Sequence, residues 1–330
     1  MLKTSRIIRH ACIGMSLLYL ALSADLHAAP LTAGDPIALP GTKGGFDFIR
    51  IDTAANRLLL GHTGNKSFDV FDLSTRKLLR SVPTSTAQDA TTDVKGGKYY
   101  VSGNDPSRMV IVDSASLEIT GEVPTPADTD LIGFNPDTGL VYECNDTAGE
   151  IWMINPATSK IVSTIKVAGG GMEDLVFDPE YKQLYQAAKG SSVIAVIDPV
   201  ANVVTASWSL APHTGPHGVA LVPDTGGLLV ACAGKLVLLN RTTGKIIAAA
   251  PTATKVDELA YDAALHVAYC ASKQGKISPV AVAAGTLTPL GDVPDQSGAG
   301  NIVVDPKTHL VWIAYSKGNQ AYVQPFTAGN

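Results

Sequence analysis

The chain has no apolar run long enough to cross a bilayer as a helix, which takes about 20 residues. Its best candidate, Ile13 to Leu22, is about half that. That stretch follows Lys3, Arg6 and Arg9 and is followed by small residues, with Leu26-His27-Ala28 fitting a cleavage site before Ala29. A basic start, a short apolar centre and a small-residue end make a secretory signal peptide. Residues 1–28 are therefore expected to be removed, leaving 29–330 as one mature domain, periplasmic or secreted, without a membrane span. A retained anchor is the competing reading. Cys12 lacks the Leu-x-x-Cys spacing of a lipoprotein site.

Runs of Lys and Arg are also missing. The formal charge is −5, and residues 1–28 hold three basic residues and one acid, so the mature chain stands at −7. Phosphate backbones need clustered positive charge, so no nucleic acid is expected as a partner. Cysteines are few: Cys144, Cys232 and Cys270 remain after Cys12, an odd number without zinc-ligand spacing, and they read as small buried apolar residues. There is no Cys-x-x-Cys-His, hence no covalent haem c, and no Gly-x-x-x-x-Gly-Lys-Ser/Thr nucleotide motif. His-Glu-x-x-His and Gly-x-Ser-x-Gly are absent as well.

What the chain has is a repeat. An apolar strand ends in an acid or amide at Phe71-Asp72, Val112-Asp113, Ile154-Asn155, Ile197-Asp198 and Leu239-Asn240, at spacings of 41, 42, 43 and 42. Two further units follow near Val282 and Gln324. Each unit opens with a short apolar strand such as Leu175-Val176-Phe177, then a turn such as Asp178-Pro179. A second strand such as Val311-Trp312-Ile313 follows, then the third strand and a turn such as Thr242-Thr243-Gly244-Lys245. A fourth strand such as Ile161 to Ile165 ends the unit. Four short strands at this period describe a propeller blade, so the fold expected is an all-β, seven-bladed β-propeller of four-stranded blades. The last unit has almost no chain for a fourth strand. Pro36-Ile37-Ala38-Leu39 at the N-terminus can supply it, closing the ring and covering an open edge.

The units resemble the YVTN β-propeller repeat family over about residues 36 to 326. Gly215-Pro216-His217-Gly218-Val219-Ala220 is similar to the family's opening text, Val193 to Asp198 to its third strand, and Thr243-Gly244-Lys245 to its turn. The resemblance implies the fold. It implies little about activity, because surface-layer repeats, periplasmic binding proteins and lactonase-like enzymes share such propellers.

Candidate chemistry gathers where inner strands begin, at one mouth of the central channel. Aligning the units on their first strand places Asp47, Asp89, Asp130, Glu173, His217, Asp257 and Gly300 there, with Asp174, Glu258 and Asn301 next in sequence. His62, after the second strand of the first unit, is expected to open on the same face, as are Lys189 and Lys273. Each acid on its own is explained by capping its loop's backbone N–H groups. Together they suggest a site, since crowded like charges need a cation or shared protons. A hard divalent cation, Ca²⁺ or Mg²⁺, on Asp130, Glu173 and Asp257 would suit oxygen ligands. His217 is the one imidazole in the ring and the candidate acid or base. Arg50 stands where other units have Thr92, Gly133, Val176, Ala220, Ala260 and Val303, with Asp47 or Asp93 as its expected partner. The leading expectation is a binding or interaction module for a small molecule or periplasmic protein. The alternative is a metal-assisted, lactonase-like hydrolase or lyase.

Overall fold

Turn chemistry sets the architecture before any packing does. In the computed structural model, which describes residues 29–329, the periodic acid or amide at the end of the third strand caps the turn that follows. Asp72 accepts from Thr75 N–H, Asp113 from Ser116, Asn155 from Ala157, Asp198 from Val200 and Asn240 from Thr243. Inner-strand ends do the same: Asp52, Asp93, Asp178, Asp262 and Asp305 each accept a backbone N–H two or three residues on. These turns finish on a residue in the left-handed region: Asn56, Gly97, Gly139, Lys182, Gly226, His266 or His309, one per blade. The repeat read in the sequence is thus a repeat of hydrogen-bonded hairpin turns.

The hairpins stack into seven antiparallel sheets. Blade one has strands Ile49–Asp52, Arg57–His62, Ser67–Asp72 and Lys77–Val82, and the pattern recurs to blade five, which ends at Ile246–Pro251. In blade six both Thr286–Pro289 and Val293–Pro294 pair with the long third strand Lys276–Ala283. Blade seven joins Val303–Val304, Leu310–Lys317 and Gln320–Gly329 to the N-terminal strand Ala29–Ala33. The expected closure is present: Ile37 and Ala38 pair with Val323 and Tyr322, and Ala29–Ala33 extends the same edge. The proposed signal segment 1–28 lies outside the described residues. Among those described, no helix is long and apolar enough to cross a membrane.

Cores lie between blades. Leu58, Leu60 and Phe71 of blade one pack with Trp312, Ala314 and Val323 of blade seven, all with at most 1% exposure. Cys144, Cys232 and Cys270 are free and buried, as expected. Close approach of blade two to blade one depends on Gly61. A Cβ there would stand 2.0 Å from the Gln88 carbonyl oxygen and 3.0 Å from that of Phe48. Both oxygens are in use: Phe48 N–H donates to Gln88 and Gly61 N–H to Phe48. Gly61→Ala is expected to lower stability by about 2–3 kcal/mol in urea unfolding, because the obstacle is backbone and cannot rotate away.

Candidate functional site at the channel mouth

Strand register decides which side chains reach the mouth. Pairing of Asp52 with Arg57, Asp93 with Lys98, Asn135 with Leu140 and Asp178 with Gln183 aligns the inner strands. The mouth ring is then Asp47, Gln88, Asp130, Glu173, His217, Asp257 and Gly300. Asp89 is displaced from the sequence alignment by one residue. It stands a step deeper, level with Phe48, Leu131, Asp174, Gly218, Glu258 and Asn301. The turn sets the count: Asp93 pairs with Lys98 as Asp52 does with Arg57, so Gln88, not Asp89, matches Asp47, while the register shift between Ala87 and Ala90 is shared with blades four and six.

The deeper ring is a structural belt. Asp89 of blade two accepts from Ile132 N–H of blade three (3.4 Å), Asp174 of blade four from Val219 of blade five (3.1 Å), and Glu258 of blade six from Ile302 of blade seven (3.1 Å). Carboxylates on even blades thus clip the following odd blade around the axis. Asn301 turns to its own second strand, accepting from Ala314 N–H at 2.7 Å. All four are buried. Burial, partly offset by Arg50, raises the Asp89 carboxyl above its usual value, and burial pushes Glu258 well up.

Arg50 spans this belt. Its Nε and Nη2 donate to the two oxygens of Asp89, both at 2.9 Å, and Nη2 also to Asp174 Oδ1 at 3.1 Å. The Phe48 ring covers one face of the guanidinium at 4.9 Å. Its partners therefore come from blades two and four, not from Asp47 or Asp93, and its side chain crosses the channel. Its structural counterpart in blade two is Thr91, one residue before the Thr92 of the sequence alignment, since each lies two residues before the aspartate that opens its turn, Asp52 or Asp93.

Above Arg50 the mouth ring is half-buried. Asp130 is pushed up to about 6, by burial first and by Glu173, Asp146 and Asp89 next, with a hydrogen bond to Asp47 opposing the rise. Burial, then Asp130 and Asp257, raises Asp47 well above the carboxylate range. Asp47 and Asp130 therefore both keep their protons to higher pH than a free aspartate does. Glu173 also rises through burial, although His217 and Lys189 oppose it. Lys189 pairs with Glu173, and Lys273 with Asp257 at 2.5 Å. Gly300 leaves room for the second pair, since a Cβ there would meet Asp257 Oδ2 and the Lys273 stem below 3.0 Å. His217 Nδ1 faces the Gly215 carbonyl at 3.0 Å, so it donates, and Nε2 lies 3.8 Å from Glu173 Oε1. Among the described residues, no three His, Cys, Asp or Glu side chains are grouped to hold a metal ion.

His62 differs from its expected place. It is fully buried, with Nδ1 2.7 Å from Asp69 Oδ2, Nε2 3.2 Å from the Gly44 carbonyl, and its ring stacked on Phe46. Asp69 lies on the neighbouring strand and Gly44 in the loop leading into blade one, so both ring nitrogens are engaged before any ligand arrives. Gln88 and Asp146 went unremarked in the sequence. Asp146 follows Asn145 at the end of a second strand and acts on Asp130 only through the fold.

No protein-family model matches the chain. Two uncharacterized proteins named YncE are similar to it over 146 residues, 44% of this chain and 37% of theirs. They are 24% identical in Salmonella typhimurium and 23% in Salmonella typhi, so the match spans little more than a third of those relatives. Solved structures match more fully. A chain of Kuenenia stuttgartiensis hydrazine synthase superposes with a TM-score of 0.74 at 15% identity, covering 86% of this chain and 96% of that one. One from a mitotic checkpoint complex gives 0.76 at 12%, covering 96% and 98%, and the WD40 repeats of RRP9 give 0.76 at 11%, covering 90% and 100%. What is shared is the fold. The chain is a seven-bladed β-propeller. Identities this low carry no activity across.

Proposed function

We propose that this propeller is an exported binding or interaction module whose ligand or partner docks at the acidic mouth. The supporting observation is the gathering of Asp47, Asp130, Glu173 and Asp257 around one opening, with Asp47 raised by burial, Asp130 and Asp257, and Asp130 raised by burial, Glu173 and Asp146. Such crowding destabilises a fold unless something relieves it, and a cation or a polyhydroxylated group that accepts the protons' place does so. Export rests on the N-terminal sequence pattern.

The pairing predicts a pH dependence. A cationic probe needs Asp130 ionised, so its affinity rises with pH through about 6. Between pH 5 and 7 the gain expected for one such carboxyl is about tenfold. Calorimetric titration of residues 29–330 with Ca²⁺, Mg²⁺ and putrescine measures it. Binding that strengthens with pH and loses that dependence in Asp130→Asn supports the reading. No heat with any of the three at either pH overturns a cation site.

A second reading, a hydrolase or lyase, draws on the 3.8 Å approach of His217 Nε2 to Glu173. A base and a carboxyl this close satisfy the geometric need of acid–base chemistry. Turnover of a lactone panel that disappears in His217→Ala would favour it, and an inert wild type would dismiss it.

A further inference from the structure

We propose that the channel end opposite the acidic mouth is a second binding site, for an uncharged, mainly apolar small molecule bearing one hydrogen-bond acceptor. Inner strands run from the mouth past Arg50 to turns at the far end. Beyond Arg50 they enclose a cavity of about 340 Å³, whose walls include Thr91, Thr92, Phe134, Val176 and Phe177. That volume is at the lower end of the range for small-molecule pockets, about 300–1,000 Å³. A smaller cavity of about 180 Å³ also touches Arg50 and Ile51 and lies against blades six and seven.

The groups left free specify the ligand. Arg50 forms the polar head of both cavities, and its side chain is one-third exposed. Nε and Nη2 are taken by Asp89 and Asp174, and Phe48 covers one face. Nη1 donates to nothing in the described residues, nor do the Thr91 and Thr92 hydroxyls have a partner there. Nη1 can only donate, while the two hydroxyls can donate or accept, so an acceptor on the ligand satisfies all three. An anion is disfavoured, because two carboxylates already offset the guanidinium at 2.9 and 3.1 Å. A cation finds no carboxylate to spare: the oxygens of Asp89 and Asp174 are engaged by Arg50 and by the N–H groups of Ala90, Ile132, Leu175 and Val219. What remains is a chamber walled by the side chains of Ile132, Phe134, Leu175, Val176 and Phe177 with a donor at its head, which a carbonyl compound fills well.

Ligand-observed NMR on residues 29–330 with acetophenone, toluene, benzoate and benzylamine tests this. Acetophenone is expected to bind about fivefold more tightly than toluene, the worth of one hydrogen bond, while benzoate and benzylamine give no signal. Amide shifts at Gly133 and Val176, with none at Gly218 near the mouth, locate the site without any substitution. Thr91→Phe and Val176→Phe, each checked for an intact thermal transition, are expected to abolish binding, whereas Asp130→Asn leaves it unchanged. Benzoate or benzylamine binding as tightly as acetophenone, no binding by acetophenone, or binding that persists in both filled variants overturns the proposal. None of these outcomes bears on the acidic mouth, which the cation titration tests separately.

Discussion

Replacing Arg50 with alanine is expected to cost about 3–5 kcal/mol of stability at pH 7, the loss typical of a buried ion pair deprived of one partner. The argument rests on what the guanidinium leaves behind. Asp89 is fully buried and Asp174 nearly so, and no other cation bonds either of them. Both also hold backbone N–H groups of the next blade, so they cannot swing out to water without unclipping the ring. The effect has a pH signature. Burial already raises the Asp89 carboxyl despite Arg50, and removing the cation raises it further. A carboxyl whose folded value lies above its unfolded value favours the folded state while protonated and loses that contribution as pH rises. The penalty of Arg50→Ala should therefore shrink from pH 7 to pH 4.5. A combined Arg50→Met, Asp89→Asn, Asp174→Asn variant, which removes all three charges but keeps an acceptor for the N–H groups of Ile132 and Val219, should recover part of the loss. Urea unfolding at the two pH values reads both. A change below about 1 kcal/mol at pH 7, within the range of exposed pairs, would mean that water screens the channel centre.

The sequence carried the ring more readily than its interior. Asp72, Asp113, Asn155, Asp198 and Asn240 were visible because each serves a turn within five residues of itself, and local duties repeat locally. Closure by Pro36–Leu39 was legible from a count of strands. Arg50 was visible as an oddity, but its partners lie 39 and 124 residues away, and nothing local names them. Asp89 was misplaced because an acid was taken for the ring position, whereas counting back from the turn at Asp93 puts its neighbour Gln88 there. His62 looked like a loop residue, yet Asp69, paired strands away, draws it inside. Acids at the mouth and acids in the belt share one composition, and only register separates them.

Glutamine in place of Glu143 is expected to stabilise the protein at alkaline pH and to do little at acid pH. Glu143 lies in the second strand of blade three, Leu140–Asn145, with no exposure. One oxygen accepts the Thr129 hydroxyl at 2.8 Å, and the other has no partner. Burial pushes its carboxyl up to about 8, the Thr129 bond only partly opposing it. The folded chain therefore holds a proton that the unfolded chain releases near the ordinary Glu value of about 4.3. Stability from this group is present at low pH and falls away as pH climbs from that value through 8. Each unit of difference is worth about 1.4 kcal/mol, so the loss by pH 8.5 is on the order of a few kcal/mol. Blade four already holds the neutral solution, since Gln186 occupies the matching position against Leu175, fully buried and hydrogen-bonded. Glu143→Gln keeps an acceptor for Thr129 and removes the titration, at the expense of amide protons that need partners. Near pH 5 the two effects leave the variant equal to or slightly below the wild type. By pH 8.5 it should be ahead, and the difference between the two thermal midpoints, rather than either curve alone, isolates Glu143 from Asp47, Asp130 and Glu258. A difference that stays constant from pH 5 to 8.5 would place Glu143 in contact with water or a charge that keeps it ionised.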